Sequence, residues 1–85
     1  MNFAIVYKER ARKDLKKIPQ AWREKLICAI DELKTDPFRG KKLQGALAGI
    51  YSLRVWPYRV LYQINKGKIL IIILHVGHRQ GVYSN

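Results

Sequence analysis

Two arginines flank a Trp-Pro pair in the segment Leu53-Arg54-Val55-Trp56-Pro57-Tyr58-Arg59-Val60. If Trp56-Pro57 is a two-residue hairpin loop, Val55 pairs with Tyr58 and Arg54 with Arg59. Guanidiniums set directly opposite each other repel and weaken a sheet. The same arrangement suits phosphate, because each guanidinium offers a planar bidentate fork. A phosphate site and a solvated surface are both open readings of that pair. The composition around it favours the site.

All six acidic residues, Glu9, Asp14, Glu24, Asp31, Glu32 and Asp36, fall within the first 36 positions. Residues 37–85 carry eight bases and no carboxylate, so that part holds +8 of a formal net charge of +11. Tyr51, Trp56, Tyr58, Tyr62 and Tyr83 are interleaved with those bases. A cationic, aromatic segment free of carboxylates suits a polyanion, because nothing in it repels phosphate. An active site built there works without a carboxylate acid or base. An imidazole is available instead. His78 can transfer protons near neutral pH, having an unperturbed pKa of about 6.5, or can simply contact phosphate or cap a loop. His75 lies inside an apolar run and reads as a satisfied sheet residue.

The remaining composition narrows the class. Eighty-five residues, 48% of them hydrophobic, fit a single domain spanning 1–85 with one core. One cysteine excludes an internal disulfide, and two histidines beside it make a poor zinc site, so no metal or cofactor is expected. Cys28, between Ile27 and Ala29, reads as inert packing. The opening MNFAIVYKERARK lacks the pattern of a secretory signal. The longest apolar run, Ile69–Leu74, is six residues, against about 20 for a membrane span. A soluble, reducing, cytoplasmic setting is expected.

Local patterning supplies the elements that must hold these residues. Asn2–Tyr7 reads as a strand, and Lys8–Lys17 as a helix with Ala11, Leu15 and Ile18 on one side. Pro19 suits the start of a second helix, along which Trp22, Leu26, Ala29, Ile30 and Leu33 form an apolar stripe. Thr35-Asp36-Pro37 stops it, and the two helices make an antiparallel hairpin. Residues 38–49 read as a basic, glycine-containing loop. Strands at Ile50–Val55, Tyr58–Ile64 and Lys68–Val76 follow. The last is apolar on both faces, which places it centrally, covered twice and beside the first strand in parallel. The order β-α-α-β-β-β predicts an α+β fold: a twisted, mostly antiparallel four-stranded sheet with the N-terminal α-hairpin on one face. Tyr58, Tyr62 and Trp22 read as core, and Trp56 as an exposed turn residue able to stack on a base.

The stretch from Tyr51-Ser52-Leu53-Arg54 through Tyr58-Arg59-Val60-Leu61-Tyr62, with the ending Gly77-His78-Arg79-Gln80-Gly81-Val82-Tyr83, resembles the RelE toxins of the RelE/ParE superfamily. Such toxins belong to bacterial and archaeal type II toxin–antitoxin pairs. The resemblance implies a metal-independent mRNA interferase that cleaves messenger RNA in the ribosomal A site by 2′-hydroxyl attack. It implies a catalytic set of Arg54, Arg59, His78, Arg79 and Tyr83. In that set Arg54 neutralises backbone phosphate and Arg59 holds the scissile phosphate. Arg79 stabilises the leaving group or transition state, and Tyr83 stacks on or orients the nucleotide. Lys41, Lys42 and Trp56 are expected to bind RNA, although a solvated basic loop accounts equally for the two lysines. The implied partners are a RelB-like antitoxin with an acidic or amphipathic segment, in a heteromeric complex, and the ribosome with its mRNA. Ser52 departs from the pattern, standing where well-known members carry a lysine associated with proton transfer. A ParE-like DNA gyrase poison and a catalytically weak RNA-binding member are the alternatives on this fold.

Overall fold

The computed structural model describes residues 2–78. Strand β1 (Ala4–Tyr7) leads into helix α1 (Glu9–Lys16) and helix α2 (Gln20–Asp31), which ends in a 3-10 turn at Glu32–Lys34. A two-residue strand β2 (Lys41–Lys42) follows, then β3 (Tyr51–Val55), β4 (Tyr58–Asn65) and β5 (Leu70–His78). The strands form one sheet in the order β1-β5-β4-β3-β2. β1 runs parallel to β5, with Val6 opposite Ile72, and every other pairing is antiparallel.

The α-hairpin covers one face of this sheet. Ala11 and Leu15 of α1, Ile18, and Leu26, Ile30 and Leu33 of the second helical segment are buried against Leu53, Val60, Tyr62, Ile71, Ile73 and Val76. Arg23 closes the hairpin from the side, donating from Nε to the Leu15 carbonyl at 3.0 Å and from Nη2 to that of Ile18 at 2.9 Å. It thereby adds a second donor to the Leu15 carbonyl, which also takes the Ile18 N–H at 3.2 Å, and supplies one to the Ile18 carbonyl in the turn between the helices. Sequence patterning assigned Arg23 no such task.

Three expectations change. The sheet has five strands, because Lys41 pairs with Ser52 and Lys42 with Tyr51 where a loop was expected. Two lysines carry no strand signal, and distant contacts hold them there. β5 is covered on one face only: Ile71, Ile73 and Val76 are buried, while Ile72 and Leu74 are partly exposed beside Val6, itself 44% exposed. Cys28 is exposed, on the outer side of α2, because the buried stripe runs through Leu26 and Ile30.

Candidate functional site

The β3–β4 hairpin has the register that the two-residue loop demands. Arg54 pairs with Arg59, Leu53 with Val60 and Val55 with Tyr58. Alternation along each strand then sends Leu53 and Val60 into the core and the two arginines to the helix-free face. There, Arg54 and Arg59 line a hollow of about 390 Å³ with Arg39, Gly40, Lys41, Ser52 and Leu53. No acid lines it. Four of the seven described lining residues are cationic, and with Arg39 paired to Glu32, Lys41, Arg54 and Arg59 leave a net positive field that favours an anion.

The wall contributed by residues 39–41 is held from beneath. Tyr62 is fully buried at the centre of β4, and its hydroxyl needs partners there. It donates to the Pro37 carbonyl at 2.8 Å and accepts the Gly40 N–H at 2.9 Å. Burial, opposed by the hydrogen bond from Gly40, pushes the Tyr62 hydroxyl above the usual tyrosine range, so it keeps its proton and remains a donor. A β-carbon on Gly40 would lie 2.6 Å from that hydroxyl oxygen, which explains the glycine. Tyr51 stacks on Tyr62 at 5.5 Å between centroids, and Phe38 meets Tyr51 edge-on at 5.9 Å. Arg39 is paired with Glu32 at the end of the helical segment.

β5 contributes less to the hollow than sequence parity suggests. Leu61 pairs with His75 but Tyr62 with Ile73, so β5 carries an extra residue at Leu74. Such a bulge exchanges the faces of everything beyond it. Gly77 therefore lies opposite Arg59, and His78 lies opposite Tyr58. The His78 ring meets Tyr58 edge-on at 6.1 Å, and Tyr58 meets Trp22 of α2 likewise at 6.1 Å. His78 thus stands on the helix side of the sheet end, not in the hollow with Arg54 and Arg59.

The bulge has its own anchor. Asp14 of α1 accepts the Val76 N–H at 3.0 Å and lies 2.6 Å from His75 Nδ1. Arg10 Nη2 is 3.4 Å from His75 Nε2. A guanidinium only donates, so that contact makes Nε2 the acceptor and leaves the proton on Nδ1, donating to Asp14. His75 is the satisfied residue that its place in the strand suggests.

The remaining candidates divide. Lys41 lines the hollow, whereas Lys42, opposite Tyr51, does not. Trp56 is 58% exposed at the hairpin tip and outside the hollow lining. Arg79 and Tyr83 lie outside the described residues. Ser52 is buried on the hollow floor. Among the described residues, no group of three or more histidines, cysteines and carboxylates could hold a metal ion. No helix among them is long and apolar enough to cross a membrane.

These features define a small α+β domain with a cationic hollow on its helix-free face. A family model described as the ParE toxin of the type II toxin–antitoxin system parDE matches residues 5–83. Toxin RelG of Mycobacterium tuberculosis is 35% identical over 85 residues, covering 98% of both chains. The crystal structure of the RelBE2 toxin–antitoxin complex from the same organism superposes with a TM-score of 0.86 at 33% identity, covering 93% of this chain and 100% of that one. The archaeal RelE–RelB complex from Pyrococcus horikoshii gives 0.80 at 27% identity, covering 96% of this chain and 100% of that one. The chain belongs to the RelE/ParE family and is a RelE-type toxin of a type II toxin–antitoxin system.

Proposed function

We propose that the protein is an mRNA interferase, an endoribonuclease that cuts messenger RNA in the A site of the translating ribosome and so halts translation. One observation carries the reading: Arg54 stands directly opposite Arg59, in one hollow with Lys41 and, among the described residues, no carboxylate. In the reaction the ribose 2′-hydroxyl gives its proton to solvent as its oxygen forms a bond to the adjacent phosphorus. The bond from phosphorus to the next nucleotide's 5′-oxygen breaks, that oxygen takes a proton from solvent, and a 2′,3′-cyclic phosphate is left. Charge grows on the non-bridging oxygens of the phosphorane between these events. Preorganised guanidiniums stabilise that charge, and gripping the backbone on both sides of the bond favours in-line geometry.

Arg59 is the proposed holder of the scissile phosphate, with Arg54 and Lys41 on the flanking backbone. By resemblance, Arg79 and Tyr83 complete the set, at the leaving group and the nucleotide respectively. Among the described residues the hollow lining contains neither imidazole nor carboxylate, and by resemblance Ser52 stands where familiar relatives carry a lysine. Charge stabilisation and positioning then supply most of the rate. His78 serves as a proton carrier only by reaching around the end of β5. The proposed partner is a RelB-like antitoxin whose acidic or amphipathic segment covers the cationic face, consistent with solved relatives that are toxin–antitoxin complexes. The proposed setting is the cytoplasm, where ribosomes and such an antitoxin meet.

Brief expression in a bacterial host, followed by mapping of new 5′ ends in messenger RNA, tests the proposal. Codon-phased cuts that disappear with Arg59→Ala support it. Intact transcripts accompanied by accumulating DNA breaks would replace it with gyrase poisoning, the alternative that the resemblance leaves open on this fold.

A further inference from the structure

We propose that Tyr62, a core residue by burial, is a positioning residue for the anion hollow, holding the wall that faces the two arginines. The inference rests on the nucleic-acid reading of the hollow. Arg39, Gly40 and Lys41 make up three of the seven lining residues, and β2 is only two residues long. A two-residue strand at a sheet edge does not hold itself in place. Its near attachments are Leu43 N–H to the Ile50 carbonyl at 2.9 Å and the short ladder to β3. On the other side of the wall, the backbone at Pro37 and Gly40 is tied to one atom, the Tyr62 hydroxyl, while the Arg39 N–H reaches only the nearby Asp36 carbonyl at 3.3 Å and the Arg39 side chain pairs with Glu32.

That atom bridges 25 residues of sequence to Pro37 and 22 to Gly40. It is also why position 40 is a glycine, since a methyl there would meet the hydroxyl at 2.6 Å and the Ser52 carbonyl at 3.0 Å. The Gly40 N–H is committed to this tie, so the wall offers phosphate its lysine and arginine side chains rather than that amide. Tyr62 reaches the ligand only through the wall. A phenylalanine would fill the same space in the core, stack on Tyr51 as before, and leave Pro37 and Gly40 without their shared partner.

The test is Tyr62→Phe in the full chain, with two readouts. The first needs no ligand: native-state cleavage by trypsin after Arg39, Lys41 and Lys42, measured against cleavage after Lys66 and Lys68. Loss of two buried hydrogen bonds should speed it about five- to thirty-fold at the first three sites alone. The second is binding of a single-stranded RNA oligonucleotide across a salt series. Lys41→Ala should flatten the slope of log affinity against log salt by about 0.7. Tyr62→Phe should flatten it in the same direction, and its effect on the slope should be smaller in the Lys41→Ala background than in the unsubstituted chain. A general loss of fold would instead give additive losses and faster cleavage everywhere.

Unchanged cleavage at residues 39–42 in Tyr62→Phe overturns the inference, as does an additive double variant. If the unsubstituted chain binds no RNA, the nucleic-acid reading fails while the cleavage ratio still decides whether the hydroxyl holds the wall. Should Tyr62→Phe not fold, Gly40→Ala attacks the same tie from the other side with Tyr62 intact. The same local acceleration is expected of it, and its absence counts against the proposal.

Discussion

The two faces of the β3–β4 hairpin are built from alternating neighbours and obey opposite rules. On the helix side Leu53, Val60 and Tyr62 are closely packed and 6% exposed or less. On the other side Arg54 opposes Arg59, a pairing that costs stability in a sheet. One face is organised for folding at the expense of nothing. The other accepts local repulsion between guanidiniums, which an anion placed between them would relieve. The difference teaches that residues adjacent in sequence separate cleanly into fold and chemistry once the register is fixed. Tyr62 departs from that separation: it is packed like one face, yet its hydroxyl is hydrogen-bonded to Pro37 and to Gly40, a residue that lines the hollow.

Breaking the contrast should be easiest from the packed side. Leu53→Ala should destabilise the protein by about 2–5 kcal/mol, read as a lower urea midpoint with an unchanged slope. Gly40→Ala should cost about 1–3 kcal/mol, because the added methyl meets the Tyr62 hydroxyl and a backbone carbonyl.

Alkaline pH probes the same hydroxyl. Burial raises the pKa of both Tyr7 and Tyr62 above 10.0 in the folded chain. The folded state therefore keeps protons that the unfolded state loses. The contribution is complete below about pH 10 and is lost as pH rises through the folded values, with a slope of at most about 1.4 kcal/mol per pH unit for each group. Urea midpoints between pH 9 and 11 should fall, and Tyr62→Phe should flatten that fall.

On the open face the sign reverses. Arg54→Thr should raise stability by about 0.2–1 kcal/mol while weakening RNA binding, since it removes the cross-strand repulsion. A loss of stability there would mean the arginines serve the fold. Lys13→Ala, which removes an exposed pair with Glu9 at 3.6 Å, should change stability by under about 0.5 kcal/mol.

The pattern of successes in the sequence follows from the range of the forces involved. The Arg54–Arg59 register was legible because a two-residue loop leaves one pairing possible. The helical stripe through Leu26, Ile30 and Leu33 was legible because helical period and burial coincide. Lys41–Lys42 was not, since its place as a strand comes from pairing with Ser52 and Tyr51 of β3 across an intervening loop. Nor was the extra residue at Leu74, a backbone feature anchored by Asp14 from α1. That one residue moved His78 away from the arginines. The small acid-rich part of the chain thus shapes the carboxylate-free part after all.

The most direct measurement is the rate at which purified protein cuts a ribosome-bound messenger RNA, compared between the unsubstituted chain and Arg59→Ala of equal thermal stability. A loss of about 10²–10³-fold is expected if the opposed guanidiniums stabilise the phosphorane. Cleavage at an undiminished rate would show that the hollow takes no part in the chemistry.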